Sequence, residues 1–187
     1  MGSARVKTAK GDYAGALEIY LELLKRGPLP YLAARAGELY EQLGQHTDAE
    51  RYFALAENGW RYDTPEPTLL AAFLAAHDRK LPDAVRIAED TAKRRHDIYT
   101  MDALAWSYFR AGRVADAAKA SAQALRTNTR DRTILYHAAA ISQATGNPNV
   151  ARTLLERALE SNPQFDLASA PAARDLLKQL AGKSQRT

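Results

Sequence analysis

The four histidines are the residues of this sequence best suited to bind a metal ion, but their spacing does not favour a metal site. His46, His77, His96 and His137 lie far apart, and no HExxH or paired-histidine pattern is present. The sequence has no cysteine, which excludes disulfides and thiol catalysis. It also has no glycine-rich phosphate loop and no GxSxG motif. We therefore predict no metal, no cofactor and no enzymatic activity.

The most concentrated charge is the run Lys93-Arg94-Arg95-His96. Such a run could meet phosphate or an acidic partner, but cations at the end of a helix also satisfy its last carbonyl groups. We favour the second interpretation. The whole chain has 26 basic and 22 acidic residues, and this net charge of +4 is too small and too scattered to indicate nucleic acid by itself.

No apolar run approaches the roughly 18 residues that a membrane span needs, and the first residues do not resemble a signal peptide. These patterns predict a soluble protein without a membrane span. They leave open whether the protein is cytoplasmic or periplasmic, because proteins of both compartments can lack cysteine.

Turn glycines divide the chain at a regular interval. They are Gly11, Gly44, Gly112 and Gly146, separated by 33, 68 and 34 residues. The separation of 68 equals two intervals with one glycine missing, and the missing turn should lie near residue 78 or 79. Around Gly112, apolar residues recur at three- and four-residue steps on both sides, as in two amphipathic helices. The pattern predicts repeated helix–turn–helix units.

Small residues recur where the paired helices should approach most closely. Five residues after each turn stands an alanine: Ala16, Ala49, Ala84, Ala117 and Ala151. A methyl group fits such a contact, whereas a larger side chain would push the helices apart at a cost of about 1–3 kcal/mol. At the end of the second unit, Asn58-Gly59 predicts a left-handed exit from a helix.

These features resemble the tetratricopeptide repeat, a helix–turn–helix unit of about 34 residues with a small pair, an aromatic residue, a turn glycine, an alanine and a closing proline. Leu104-Ala105, Tyr108, Gly112 and Ala117 show the pattern, and Pro163 closes the last unit. The resemblance implies an all-α fold, a right-handed superhelix or solenoid of about five helix pairs. The predicted single domain, residues 1–187, contains units at 1–29 (partial), 30–63, 64–97, 98–131 and 132–165, and a capping helix at 168–181.

In tetratricopeptide arrays the first helices line a concave groove that binds peptides. By this resemblance, the predicted groove residues are Tyr31, Glu38, Phe73, His77, Tyr99, Asp102, Trp106, Phe109, Arg110, Tyr136 and Gln143. Aromatic side chains are good anchors for a partner, but Phe73, Trp106 and Phe109 could instead pack against a neighbouring unit. The positions matching the carboxylate clamp of some family members include Glu38, Phe73 and Asp102, which argues against that clamp.

The resemblance implies a protein–protein interaction scaffold that binds a peptide segment or partner protein in an aromatic, partly acidic groove. One alternative is a helical-repeat nucleic-acid-binding protein, suggested by the pI near 9.3, although the predicted groove is not basic. Another is an assembly or regulatory domain of a larger bacterial-type machine, suggested by the incomplete first unit. The uncovered face of that unit also suggests a homodimer.

Overall fold

The computed structural model describes residues 2–160 and 162–184. Within these residues the protein consists of eleven α-helices and one short π-helix, without β-strands. The helices follow one another as packed pairs joined by short turns. The all-α class of consecutive helix pairs predicted from the sequence is confirmed.

The chain divides into two compact units between Glu66 and Pro67. The helices of the N-terminal unit are α1 (Gly2–Ala9), α2 (Tyr13–Arg26), α3 (Pro30–Gln42), α4 (His46–Asn58) and a π-helix (Gly59–Asp63). Here α1 packs on α2, α2 on α3 and α3 on α4. The buried side chains of Leu39 and Phe53 contribute to the core between α3 and α4.

The helices of the C-terminal unit are α5 (Pro67–Ala76), α6 (Leu81–Ala92), α7 (Ile98–Arg110), α8 (Val114–Leu125), α9 (Arg132–Ala144), α10 (Pro148–Leu159) and α11 (Ser169–Ser184). We call α5, α7 and α9 the first helices, since each opens a pair that α6, α8 or α10 completes. The first helices also pack on one another, α5 on α7 and α7 on α9. This unit contains the site described below.

The predicted turns are present. Gly11, Gly44, Gly112 and Gly146 have φ values of 79°, 72°, 79° and 78°, which a residue with a Cβ adopts only with strain. In the unit without a turn glycine, Asp78 and Lys80 have φ values of 52° and 43°. The missing turn therefore lies where the repeat interval placed it, but side-chain-bearing residues form it.

Gly59 does not end α4 in a left-handed conformation, so that prediction was wrong. Its φ of −59° and ψ of −49° are right-handed, and the chain continues into the π-helix. A Cβ on Gly59 would lie 2.5 Å from Cγ of Pro30. The glycine is needed because this backbone passes very close to the first residue of α3.

The small residues lie in the helix contacts. The five equivalent alanines are each 0% exposed. Ala117 of α8, for example, is buried in one cluster with Ala105 of α7 and Ile141 of α9. The alanines therefore lie buried, as the steric interpretation of these positions requires.

The last helix covers the end of the final pair. Ala173 and Leu180 of α11 are buried in the same cluster as Leu154 and Leu155 of α10. A one-sided apolar helix is what the exposed face of a terminal repeat requires. The helix begins one residue after the predicted start at 168 and continues beyond the predicted end at 181.

Candidate functional site

The predicted groove residues are divided between the two units. Tyr31 and Glu38 belong to α3 of the N-terminal unit, and the other nine belong to the C-terminal unit. Tyr31 is 37% exposed. Glu38 accepts a hydrogen bond from Arg35 at 2.6 Å, which neutralises much of its charge.

Trp106 of α7 lies at the centre of a group of contacting rings that joins α7 to α9. Its ring centroid lies 3.9 Å from that of His137, with an interplanar angle of 10°. It lies 5.2 Å from Phe109 and 5.8 Å from Tyr136. We call these four residues the aromatic cluster. Trp106 is only 5% exposed, so it packs between the first helices and does not present its face to solvent.

His137 is held by a second contact, to Asp102 of α7. The imidazole Nδ1 lies 2.9 Å from one carboxylate oxygen and 3.1 Å from the other, and His137 is 7% exposed. The spacing of the histidines in the sequence argued only against a metal site and did not reveal this role of His137. A signal was available, because His137 follows Asp102 by 35 residues, close to one repeat interval, so the two positions face each other across neighbouring first helices.

Arg110, near the end of α7, bridges two parts of the unit. Its guanidinium pairs with Asp78 in the turn after α5, and its Cζ lies 5.5 Å from the Trp106 ring centroid. A cation over an indole face is attracted by the ring's quadrupole. Arg110 therefore fixes the edge of the aromatic cluster and shares its charge with a carboxylate.

Phe73 of α5 and His77, the residue directly after α5, extend this face. Their rings lie one helical turn apart, with centroids 4.8 Å from each other. Phe73 is 5% exposed, so, like Trp106, it belongs to the packed layer. His77 is half-buried.

The part of the face that a partner could reach is formed by other side chains. Tyr99, at the start of α7, is 58% exposed, and Phe109 and Tyr136 are half-buried. Burial raises the pKa of the Tyr136 phenol, and the Arg110 guanidinium opposes this in part. The phenol is therefore neutral at physiological pH and can both donate and accept a hydrogen bond.

Three polar atoms of α7 and α9 lack a hydrogen-bond partner among the described residues. They are the indole Nε1 of Trp106, the hydroxyl Oγ of Ser107 and the side-chain oxygen Oε1 of Gln143, all shielded from solvent. Buried polar groups are usually paired, since an unpaired one costs about 1–3 kcal/mol. The region thus combines tight aromatic packing with unused hydrogen-bonding capacity.

A separate groove of about 860 Å³ lies between α2 and α4 of the N-terminal unit. Its walls include Leu21, Leu24 and Leu55, and charged residues such as Glu18 and Arg51 lie along it. No constellation of polar groups converges in it that would point to a reaction or to a particular ligand.

Among residues 2–160 and 162–184, no three His, Asp or Glu side chains are grouped so that they could hold a metal ion. Of the helices in this described part of the chain, none has the length and apolarity needed to cross a membrane.

No protein-family model matches the sequence, and no curated protein matches it. Solved structures match the fold. The chain aligns over 96% of its length with a chain of the APC/C hetero-tetramer Cut9–Hcn1, with a TM-score of 0.55 and 20% identity, and it spans 35% of that longer chain.

Two further structures align with lower TM-scores. YrrB, described as a TPR protein with an unusual peptide-binding site, has a TM-score of 0.47 and 16% identity, with 92% of this chain and 88% of that chain covered. The TPR2AB domain of yeast Sti1, solved as a complex with pHSP90, has a TM-score of 0.49 and 16% identity, with 95% and 83% covered.

The similarity to the Cut9–Hcn1 chain agrees with the helix pairs, the left-handed turns and the buried alanines described above. At 20% identity it shows the fold and nothing about partners. The Cut9–Hcn1 chain is built of tetratricopeptide repeats. This chain therefore has a tetratricopeptide-like fold of stacked helix pairs.

Proposed function

We propose that this protein is an interaction scaffold whose C-terminal unit binds a peptide segment or a partner protein on the face of α5, α7 and α9. The observation that supports this most directly is the aromatic cluster. Its central ring, Trp106, is held between the first helices, while Phe109 and Tyr136 at its margin stay partly accessible. Tyr99, at the opposite end of α7, is exposed as well.

The cluster favours binding because its side chains are already ordered. Each aromatic pair contributes about 0.5–1.5 kcal/mol beyond the area it buries, so the rings are held in one arrangement before a partner arrives. Immobilising a free side chain on binding costs a further ~0.5–1.5 kcal/mol. A partner that contacts Phe109 and Tyr136 avoids much of that cost.

The charges around the cluster indicate that apolar contacts dominate recognition. The Asp102 carboxylate is largely buried against His137, and Arg110 pairs with Asp78, so neither charged group is free to pair with a partner. We propose that a partner segment places apolar or aromatic side chains against Phe109 and Tyr136 and runs along α7 to Tyr99, about 15 Å away at the helical rise of 1.5 Å per residue, with polar main-chain groups near Arg110.

The fold is compatible with such a role. The structural neighbour Cut9–Hcn1 is a hetero-tetramer, so the same kind of helix stack occurs in a protein assembly. The identity of the partner of this chain is left to the experiment below.

The proposal is tested by selecting peptides from a random library displayed on phage against the purified protein. The selected peptides are then titrated by calorimetry into the wild-type protein, Tyr99→Ala and Phe109→Ala. Residues that anchor a partner typically cost more than about 1 kcal/mol when truncated, which corresponds to at least a roughly fivefold loss of affinity.

Tyr62→Ala is the matched control, because Tyr62 is 71% exposed and belongs to the N-terminal unit. The proposal predicts that this variant binds the selected peptides as the wild type does. Failure to enrich any peptide, or unchanged affinity in both Tyr99→Ala and Phe109→Ala, would contradict the proposal.

A further inference from the structure

Two loops of the C-terminal unit, distant in the sequence, lie beside each other. One is residues 93–97, between α6 and α7, and the other is residues 126–132, which lead from α8 into the first residue of α9. The guanidinium of Arg126 donates a hydrogen bond to the backbone carbonyl of His96 and so joins the loops. We call residues 93–97 and 126–132 together the basic edge.

The basic edge carries a net positive charge, whereas the rest of the chain has no net charge. Its cations are Lys93, Arg94, Arg95, Arg126, Arg130 and Arg132, and its carboxylates are Asp97 and Asp131. The resulting excess of four positive charges equals the formal net charge of the whole protein, +4. The positive and negative charges of the remaining residues therefore cancel. The net charge of the whole protein equals the net charge of the basic edge.

The two carboxylates of the basic edge are engaged by the helices that follow them. Asp97 accepts hydrogen bonds from the backbone N–H groups of Tyr99 and Thr100 at 3.1 and 3.0 Å. Asp131 accepts them from Thr133 and Ile134 at 3.0 and 3.2 Å. Both are N-caps, whose negative charge is directed at the positive end of a helix.

Lys93 and Arg95 pair with Asp90 and Asp97, whereas two other cations remain available to a partner. Arg94 and Arg130 are exposed, and neither forms a hydrogen bond or an ion pair within the part of the chain that the structure describes. A further cation, Arg157 of α10, donates to Asn128 and to the carbonyl of Thr129. It holds the second loop in place and adds to the positive potential there.

We propose that the basic edge docks an acidic polypeptide segment. The cations are nearly all arginines, whose planar guanidinium pairs with a carboxylate through two parallel hydrogen bonds. Because Arg157 of α10 holds the second loop and Arg126 joins the second loop to the first, the arginines project from a fixed base. This arrangement suits a chain of aspartate or glutamate side chains that crosses both loops.

The same features do not favour nucleic acid. Proteins that bind duplex DNA commonly neutralise about six to ten phosphates over an extended surface, and this edge consists of two short loops. Proteins that bind single strands add aromatic platforms on which bases stack, and residues 93–97 and 126–132 contain no Phe, Tyr or Trp.

Binding of a fluorescein-labelled oligoglutamate peptide, followed by anisotropy at low ionic strength, tests the inference. The wild-type protein should bind, and the affinity should fall as salt is added, since exposed charges are screened. Arg94→Ala combined with Arg130→Ala should weaken binding by roughly two- to thirtyfold, the range expected when two exposed ion pairs of about 0.2–1 kcal/mol each are lost.

The control is Lys119→Ala combined with Lys178→Ala, which removes the same charge from side chains that are 82% and 77% exposed and lie outside the basic edge. It should retain wild-type affinity. The inference fails if the wild type does not bind oligoglutamate, if the control loses as much affinity as the loop variant, or if an oligouridine of equal charge binds more tightly.

The experiment is independent of the proposed function, because the substitutions leave the aromatic cluster unchanged. A protein that loses oligoglutamate binding but still binds the phage-selected peptides has two separate interaction surfaces. Circular dichroism of each variant shows whether the helical fold is retained.

Discussion

The imidazole of His137 is enclosed between α9 and α7, with its Nδ1 2.9 Å from the Asp102 carboxylate and its ring stacked 3.9 Å from Trp106. One side chain therefore makes both a polar and an aromatic contact between neighbouring first helices. Because the first helices carry the face proposed to bind a partner, the Asp102–His137 pair is a structural support of that face.

Removing this support should destabilise the C-terminal unit. Asp102→Ala leaves the buried imidazole without its partner, and we expect the free energy of unfolding to fall by about 1–3 kcal/mol. Urea denaturation followed by circular dichroism measures the change. Asp175→Ala is the control, since this exposed carboxylate of α11 pairs with the exposed Lys178, and it should change stability by less than ~0.5 kcal/mol. Equal losses of stability in Asp102→Ala and Asp175→Ala would show that the buried Asp102–His137 pair does not stabilise the unit.

The alanine at the α7–α8 contact should not tolerate a larger side chain. Ala117 is 0% exposed, so Ala117→Leu should reduce the free energy of unfolding by about 1–3 kcal/mol through overpacking. Thermal denaturation of Ala117→Leu is compared with that of Ala122→Leu, which places the same side chain on the exposed face of α8. A wild-type melting temperature for Ala117→Leu would refute the steric interpretation of these positions.

The close approach of Gly59 to Pro30 gives a prediction for the N-terminal unit. In Gly59→Ala the new methyl group would lie 2.5 Å from Pro30 Cγ, so the end of α4 or the start of α3 must shift, at a cost of about 1–3 kcal/mol. Gly27→Ala is a suitable control, because Gly27 has an extended φ of −171° and open space around its Cβ position. It should be neutral or stabilising by up to ~1 kcal/mol. Chemical denaturation that ranks the two variants in the reverse order would contradict the contact.

The cap at the start of α7 should make stability depend on pH. Burial alone would raise the pKa of Asp97, but hydrogen bonds from Thr100 and the nearby Arg95 outweigh it and lower this pKa below its ordinary value. A lowered pKa in the folded state stabilises the protein above the ordinary carboxyl pKa of ~3.9, and the contribution is lost as the pH falls through the folded value.

Asp97→Asn removes this titration and retains a good capping side chain. Its deficit in stability relative to the wild type should be largest at neutral pH and should shrink as the pH falls below about 4. Urea denaturation over this pH range measures the difference. A deficit that stays constant with pH would mean that the charge of Asp97 does not contribute.

The sequence by itself determined the features that depend on local geometry. An α-helix places every third or fourth residue on one side, so a regular series of apolar faces, glycine turns and alanine contacts indicates stacked helix pairs. Even the turn without a glycine was located correctly, at Asp78 to Lys80. These features depend on contacts between residues of the same helix pair, which spans about 34 residues.

Tertiary structure decided which side chains are accessible and which distant residues meet. Trp106 and Tyr99 both occupy outward positions of α7, but α9 covers Trp106 with His137 and leaves Tyr99 58% exposed. The role of Gly59 was misinterpreted because the steric constraint on it comes from Pro30 of α3, which is distant in the sequence. The basic edge exists because the stacking of α7 on α9 joins two loops through Arg126 and His96. Helix periodicity defines a face, but only the packing of one helix pair against the next decides what covers that face.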